Sequence, residues 1–255
     1  EQVTRMTAED ALFVNIQSFS PPYEAAPFVS GFSGQVESNA AAQEDNSLRW
    51  NVTPWPTQAW AESVYPELPP DQAYRQLGQD LASFCRASGK SSDGNGTWQE
   101  HIEKLRDVAD QINEIEPQEI IFRSEGTELR MKPLPGSFFL PVEWETTRGK
   151  KILVNLPSQE VFGTPDPDSV EGHFSTTKPL IVHRTNEDGN PFSVPISGIK
   201  GRFENGKMVY LESTTNPEEN EYLMDTFVRN PASGMSSIGE IGLVAPNNPI
   251  AKTGR

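Results

Sequence analysis

"KKILVNLPSQEVFGTP", Lys150 to Pro165, is the stretch around which the chain divides. Its first half is a short apolar run with the look of a buried strand. Its second half sets Gln159 and Glu160 ahead of a turn built from Gly163 and Pro165. A carboxylate carried at the rigid end of a strand is a common platform for a site. A second stretch, "IGEIGLVAPNNPIAKTGR" from Ile238 to Arg255, places Glu240 inside a strand-like apolar run. A carboxylate is costly to bury there unless it is paired, hydrogen-bonded or bound to metal. From spacing alone, both glutamates also fit strand-end residues that face water.

Upstream of Gly149, strands and helices alternate. "ALFVNI" (Ala11 to Ile16) and Arg49 to Thr53 read as strands, and Pro54 and Pro56 force an extended turn before a helix near Trp60. Ala73, Leu77, Leu81 and Cys85 recur at four-residue spacing, which predicts one apolar stripe on a helix over Asp71 to Ala87. In "TWQEHIEKLRDVADQINEI", Thr97 and Glu100 have capping-box spacing. Trp98, Ile102, Leu105, Val108, Ile112 and Ile115 make the expected buried stripe, with His101 at its boundary.

Beyond Pro117 the pattern turns to β. "EIIFR" and "TELRMK" flank a hairpin turn at Ser124-Glu125-Gly126, and Glu204-Asn205-Gly206 is an Asn-Gly turn between "IKGRF" and "KMVYLE". One helix interrupts, from about Pro217 to Val228. The expected fold class is an α/β amino-terminal part followed by a β-rich α+β carboxy-terminal part. The expected domains are 1–149 and 150–255.

The net charge of −15 argues against nucleic acid as a partner, because such binding needs Lys and Arg to neutralise phosphates. It favours cations, including metal ions and ligands with a free ammonium group, although an acidic surface also serves solubility alone. The single cysteine, Cys85, fits a reducing compartment and a small core residue on its helical face. No window approaches a membrane span, so a cytoplasmic protein with no membrane partner is expected. His101, His173 and His183 show no paired metal-ligand spacing, and no serine-nucleophile elbow or phosphate-binding glycine loop is present.

The run "NLPSQEVFGTPDPDSVEGHFSTTKPL", Asn155 to Leu180, resembles the signature of the thermophilic metallo-aminopeptidases of the aminopeptidase T and aminopeptidase S type. "IGEIGLVAPNNPIAKTG" resembles a second motif of that family, and "RWNVTPWPTQAWAESVYP", "TWQEHIEKL" and "GTEL" follow its order. The similarity runs from about Leu48 to Gly254. It implies a homodimer that releases amino-terminal residues from peptides with a free amino terminus, using two divalent metal ions (Zn, Co or Mn). It also implies that Glu160 binds one metal and that Glu240 bridges the two as the catalytic centre's shared carboxylate.

Three departures accompany the resemblance. Gln159 stands where the family usually carries a first Glu, and "NPASGMSS" replaces an acidic run before Glu240. Ser175 to Phe203 is longer than usual, with "HRTNEDGNP" expected as an extended surface loop. In that family the remaining ligands and the catalytic Tyr follow the second motif, so the resemblance implies an internal fragment, incomplete at both ends, with the start of 1–149 and the end of 150–255 missing and apolar surface around Ile238, Ile241 and Leu243 expected to be uncovered. Two other readings stay open: a non-catalytic binding or oligomerisation module on the same scaffold, and a metal-independent hydrolase using Glu160 and Glu240 as acid and base.

Overall fold

The computed structural model describes residues 12–17, 49–87, 96–185, 191–232 and 234–254. The chain is a mixed α and β fold whose sheets are mainly antiparallel. Strands β1 (Leu12–Gln17) and β2 (Arg49–Pro54) form a parallel pair. Helices α1 (Gln58–Val64), α2 (Pro70–Phe84) and α3 (Trp98–Ile115) follow. Thr57 caps α1 by accepting from the Trp60 amide, and α2 carries Pro at its first position, where a missing N–H costs nothing.

The capping box of α3 is formed as expected. The Thr97 hydroxyl accepts from the Glu100 amide, while the Glu100 carboxylate accepts from the Thr97 amide at 2.7 Å. Its buried stripe differs from expectation. Ile102, Leu105 and Ala109 are buried, whereas Val108 is 44% exposed and Ile115 74%. At about 100° per residue, Val108 and Ile115 sit roughly 90° and 110° from the centre of the buried face, too far round to reach the core.

Strands β3 (Ile120–Ser124) and β4 (Thr127–Met131) make the expected hairpin, closed by Glu125 and by Gly126 at φ 72°. They belong to a five-stranded antiparallel sheet with β9 (Glu171–Ser175), β12 (Lys200–Glu204) and β13 (Lys207–Glu212), in the order β13-β12-β9-β4-β3. Asn205 and Gly206, both at positive φ, turn β12 into β13. This sheet takes strands from both sides of the expected boundary after Gly149.

A smaller sheet holds the stretch that carries Glu160. Its central strand β8 (Glu160–Gly163) lies between β5 (Leu140–Pro141) and β14 (Ile241–Val244), and β6 (Glu143–Glu145) pairs separately with β7 (Lys151–Leu153). The buried strand expected over Lys150–Pro157 is therefore only three residues, with Lys151 exposed and Ile152 buried. Beyond it, Val154 and Leu156 exchange backbone hydrogen bonds with Val52 at 2.8 Å, and the Asn51 amide donates to the Leu153 carbonyl at 2.7 Å. Gly163 is likewise not part of a turn. It sits within β8 because a Cβ there would come 2.9 Å from the Phe139 ring.

The segment expected to loop out between Ser175 and Phe203 instead contains the antiparallel hairpin of β10 (Leu180–Thr185) and β11 (Pro191–Ile196). Of "HRTNEDGNP", only residues 186–190 lie outside the described residues. Helix α4 (Pro217–Met224) continues into a π turn over Asp225–Arg229, and a 3-10 turn covers Ala251–Thr253. Three apolar clusters hold these parts. The largest packs Ile102, Leu105 and Ala109 of α3 against Val142, Val161 and Ile241; the second joins α1 to α2; the third joins the β10–β11 hairpin to α4. Ile241 is 2% exposed, and Ile238 and Leu243 pack against the first cluster, so the expectation of uncovered apolar surface there is corrected. No helix among the described residues is long and apolar enough to cross a membrane.

Candidate functional site

Glu160 opens β8, and the register sets it opposite Val244, with Gly163 opposite Ile241. Side chains alternate along paired strands. Val161, Gly163, Ile241 and Leu243 face the core, while Glu160, Phe162, Gly242 and Val244 face the other way. Glu240, one residue before β14, continues the second set and is exposed. Of the settings that the sequence left open for Glu240, the structure shows the water-facing strand end: the strand begins one residue later, and pairing with β8 fixes which face each residue takes.

The two carboxylates act on one another across this face. Burial pushes the Glu160 carboxyl above its ordinary range, and the negative charge of Glu240 pushes it further. The gap between them is kept open by Gly242, where a Cβ would stand 2.9 Å from Glu160 Oε2. Glu160 therefore leans from Val244 over Gly242, toward the end of the strand that carries Glu240.

Behind Glu160, the approach to β8 is anchored from α3. His101 Nε2 lies 2.8 Å from the Ser158 carbonyl, and its ring meets Trp98 edge-on at 5.3 Å. A carbonyl can only accept, so Nε2 carries the proton. Burial lowers the pKa of this imidazole and favours the neutral ring. His101 was legible as a boundary residue of its helix, but a partner 57 positions away leaves no mark in local spacing.

Ser158 is 5% exposed, and its Oγ and the Gln159 Nε2 are buried without a hydrogen-bond partner among the described residues. Both residues line a cavity of about 460 Å³, together with Pro157, Glu160, Lys178, Val244, Asn248 and Ile250. Lys178 Nζ donates to the Gly254 carbonyl at 3.4 Å on its rim. Glu240 is not part of that lining. Sequence reasoning missed Asn248 and Ile250, and gave Lys178 no role, because nothing in their spacing marks them as neighbours of Glu160.

As a donor set, two glutamates on one face with no intervening side chain suit a hard or borderline divalent cation. Among the described residues, no three or more His, Cys, Asp or Glu side chains are grouped so as to hold a metal ion. The two carboxylates fit part of a metal site and do not complete one.

The sequence profile described as thermophilic metalloprotease (M29) matches residues 30–255. Aminopeptidase T of Thermus thermophilus is 30% identical over 205 residues, which cover 80% of this chain and 46% of that protein. Aminopeptidase PepS of Streptococcus thermophilus is 30% identical over 219 residues, covering 84% and 48%. Among solved structures, wild-type AmpT from Thermus thermophilus superposes with a TM-score of 0.75 at 25% identity, covering 99% of this chain and 60% of that one. The chain spans about half the length of the curated relatives it matches.

Proposed function

Because this chain belongs to the thermophilic metalloprotease (M29) family, we propose that it contributes two carboxylate ligands, Glu160 and Glu240, to the centre of a metal-dependent aminopeptidase. Its substrates are peptides with a free amino terminus. The observation that carries the reading is the pairing of the two glutamates on one face of the β8–β14 ladder, with the charge of one raising the pKa of the other across Gly242. Like charges so placed repel until a cation lies near both. A divalent ion supplies the electrophilic polarisation that peptide-bond hydrolysis needs. Zn, Co and Mn all suit the donors, and the assignment gives Glu160 to one ion and shares Glu240 between two.

The chain's own residues do the rest. The central position of β8 fixes the backbone of Glu160 between two partner strands, and the His101 bond to Ser158 holds the segment that feeds it. Lys178, on the rim of the cavity that Glu160 lines, carries a donor suited to a carbonyl oxygen of bound substrate. The acidic balance of the chain attracts both the cation and a protonated peptide amine.

Titration with Mn(II), followed by paramagnetic broadening of amide signals, tests the assignment. Two carboxylates without a third donor hold an ion weakly, so a dissociation constant in roughly the millimolar range is expected. Broadening should centre on Glu160, Gly242 and Glu240. Glu160→Gln and Glu240→Gln should each weaken binding several-fold, while Glu103→Gln on the outer face of α3 leaves it unchanged. Broadening centred elsewhere, or unaltered affinity in Glu240→Gln, would remove these residues from the site.

A further inference from the structure

We propose that the apolar groove bordered by α1, α2 and the Ala251–Thr253 turn receives the side chain of a peptide's first residue, so that leucine or phenylalanine at that position is preferred over glycine. The proposal rests on the reading of Glu160 as part of the catalytic centre and extends it to substrate choice.

The groove encloses about 320 Å³ and is lined mainly by Trp60, Val64, Leu77, Leu81, Phe84 and Ile250. At about 30 Å³ for each water in the liquid, that volume admits an isobutyl or benzyl group. Its few polar groups are already occupied. The Asp80 carboxylate accepts from the Tyr65 hydroxyl and from Gln76 Nε2, and the Thr253 hydroxyl donates to the Ile250 carbonyl. Nothing in this lining asks for a polar ligand, and an apolar group entering it leaves water at little cost.

The groove is joined to the centre. Pro157 and Ile250 line both this groove and the cavity that holds Glu160, so they form the wall between them. A peptide whose ammonium lies near Glu160 has its first side chain within reach of that wall, with the apolar groove on the other side. The backbone carbonyl then lies on the side of Lys178, whose ammonium has donors beyond the one it gives the Gly254 carbonyl. Ile250 is 37% exposed between the two spaces, which makes it the gate for side-chain size.

The test is a methyl and amide NMR titration of the 255-residue chain with glycinamide, alaninamide, leucinamide and phenylalaninamide. Leucinamide and phenylalaninamide should shift the Ile250 and Leu77 methyls and the Trp60 indole. They should bind at least about tenfold tighter than glycinamide, as apolar pockets discriminate by size. Ile250→Ala should reduce that ratio several-fold, and Ile250→Leu, which conserves volume, should retain it. N-acetyl-leucinamide, which lacks the ammonium, should bind more weakly than leucinamide. Equal affinity across the four amides, or equal binding of the acetylated ligand, overturns the proposal. The Mn(II) titration separates the two readings. Broadening at Glu160 with no side-chain preference removes only the groove, and neither broadening nor preference removes both.

Discussion

Glu143 and Glu160 are the same residue type, yet their surroundings move their titrations in opposite directions. Burial alone would raise the Glu143 carboxyl, but Arg106, which reaches both carboxylate oxygens at 2.7 Å, and Lys151, at 3.1 Å, outweigh it and lower the pKa. A lowered folded value stabilises the fold above the unfolded value of about 4.3, and that gain is lost as pH falls through the folded pKa. Glu160 is raised by burial and by Glu240, so its ionised form is a liability. The liability is absent below about pH 4.3 and complete once pH exceeds the folded pKa. Glu143→Gln should therefore cost about 1–2 kcal/mol at pH 7 and less at pH 4, the cost fading as pH falls on through the folded pKa. Glu160→Gln should stabilise the metal-free chain at pH 7 and leave it unchanged at pH 4. Urea unfolding at the two pH values reads both, and the same sign for the two variants would refute the electrostatic account. Glu143 also shows that a carboxylate near the core is not by itself a candidate ligand: its two cations give it a structural role.

At the scale of elements, the ladder of β8 and β14 is what turns two separate glutamates into a pair. Only residues of matching parity share a face, and Gly242 is the position on that face that lies between them. Gly242→Ala adds a methyl 2.9 Å from Glu160 Oε2, a contact the flexible carboxylate end relieves by moving. Ala also suits a strand better than Gly does. The expected outcome is a stability change within about 0.5 kcal/mol together with Mn(II) affinity weakened several-fold. Unchanged affinity would show that the position of Glu160 over Gly242 is not used. The α3 helix contributes at this scale too, since it is both the packing partner of β8 and the source of the His101 bond to Ser158.

For the whole molecule, the question is what holds the β10–β11 hairpin, since Lys178 enters it two residues before Leu180. Arg184 of β10 pairs with Glu219 of α4 and stacks on Tyr222 at 3.5 Å. The two charged side chains are 11% and 8% exposed. Removing one member of a buried pair leaves the other charge uncompensated, which typically costs about 3–5 kcal/mol. Arg184→Leu should lower stability by that order and raise hydrogen exchange in the hairpin and α4 more than in the Ile102–Val161 core. A loss below about 1 kcal/mol, or uniform exchange, would show that the apolar cluster around Leu223 suffices to hold them.

Several features were legible in the sequence because they are set within a few residues. The Thr97–Glu100 capping box, the Asn205-Gly206 turn, the Ala73, Leu77 and Leu81 stripe and the strands β1 and β2 all follow from local hydrogen bonding, backbone preference and periodicity. The motifs around Glu160 and Glu240 likewise carried the family. Tertiary structure alone decided the rest. Glu240 lies outside its apolar run because β14 begins at Ile241, and Ile241 is buried because β8 and α3 cover it. The Ser175–Phe203 insertion folds as a hairpin because α4 offers it an apolar face and a countercharge. Ile250 and Pro157 meet between the groove and the cavity through packing that no spacing encodes. The physical reason is the range of the interactions: caps and turns act between near neighbours in the chain, whereas register, burial and the proximity of two charges depend on which distant strands pair.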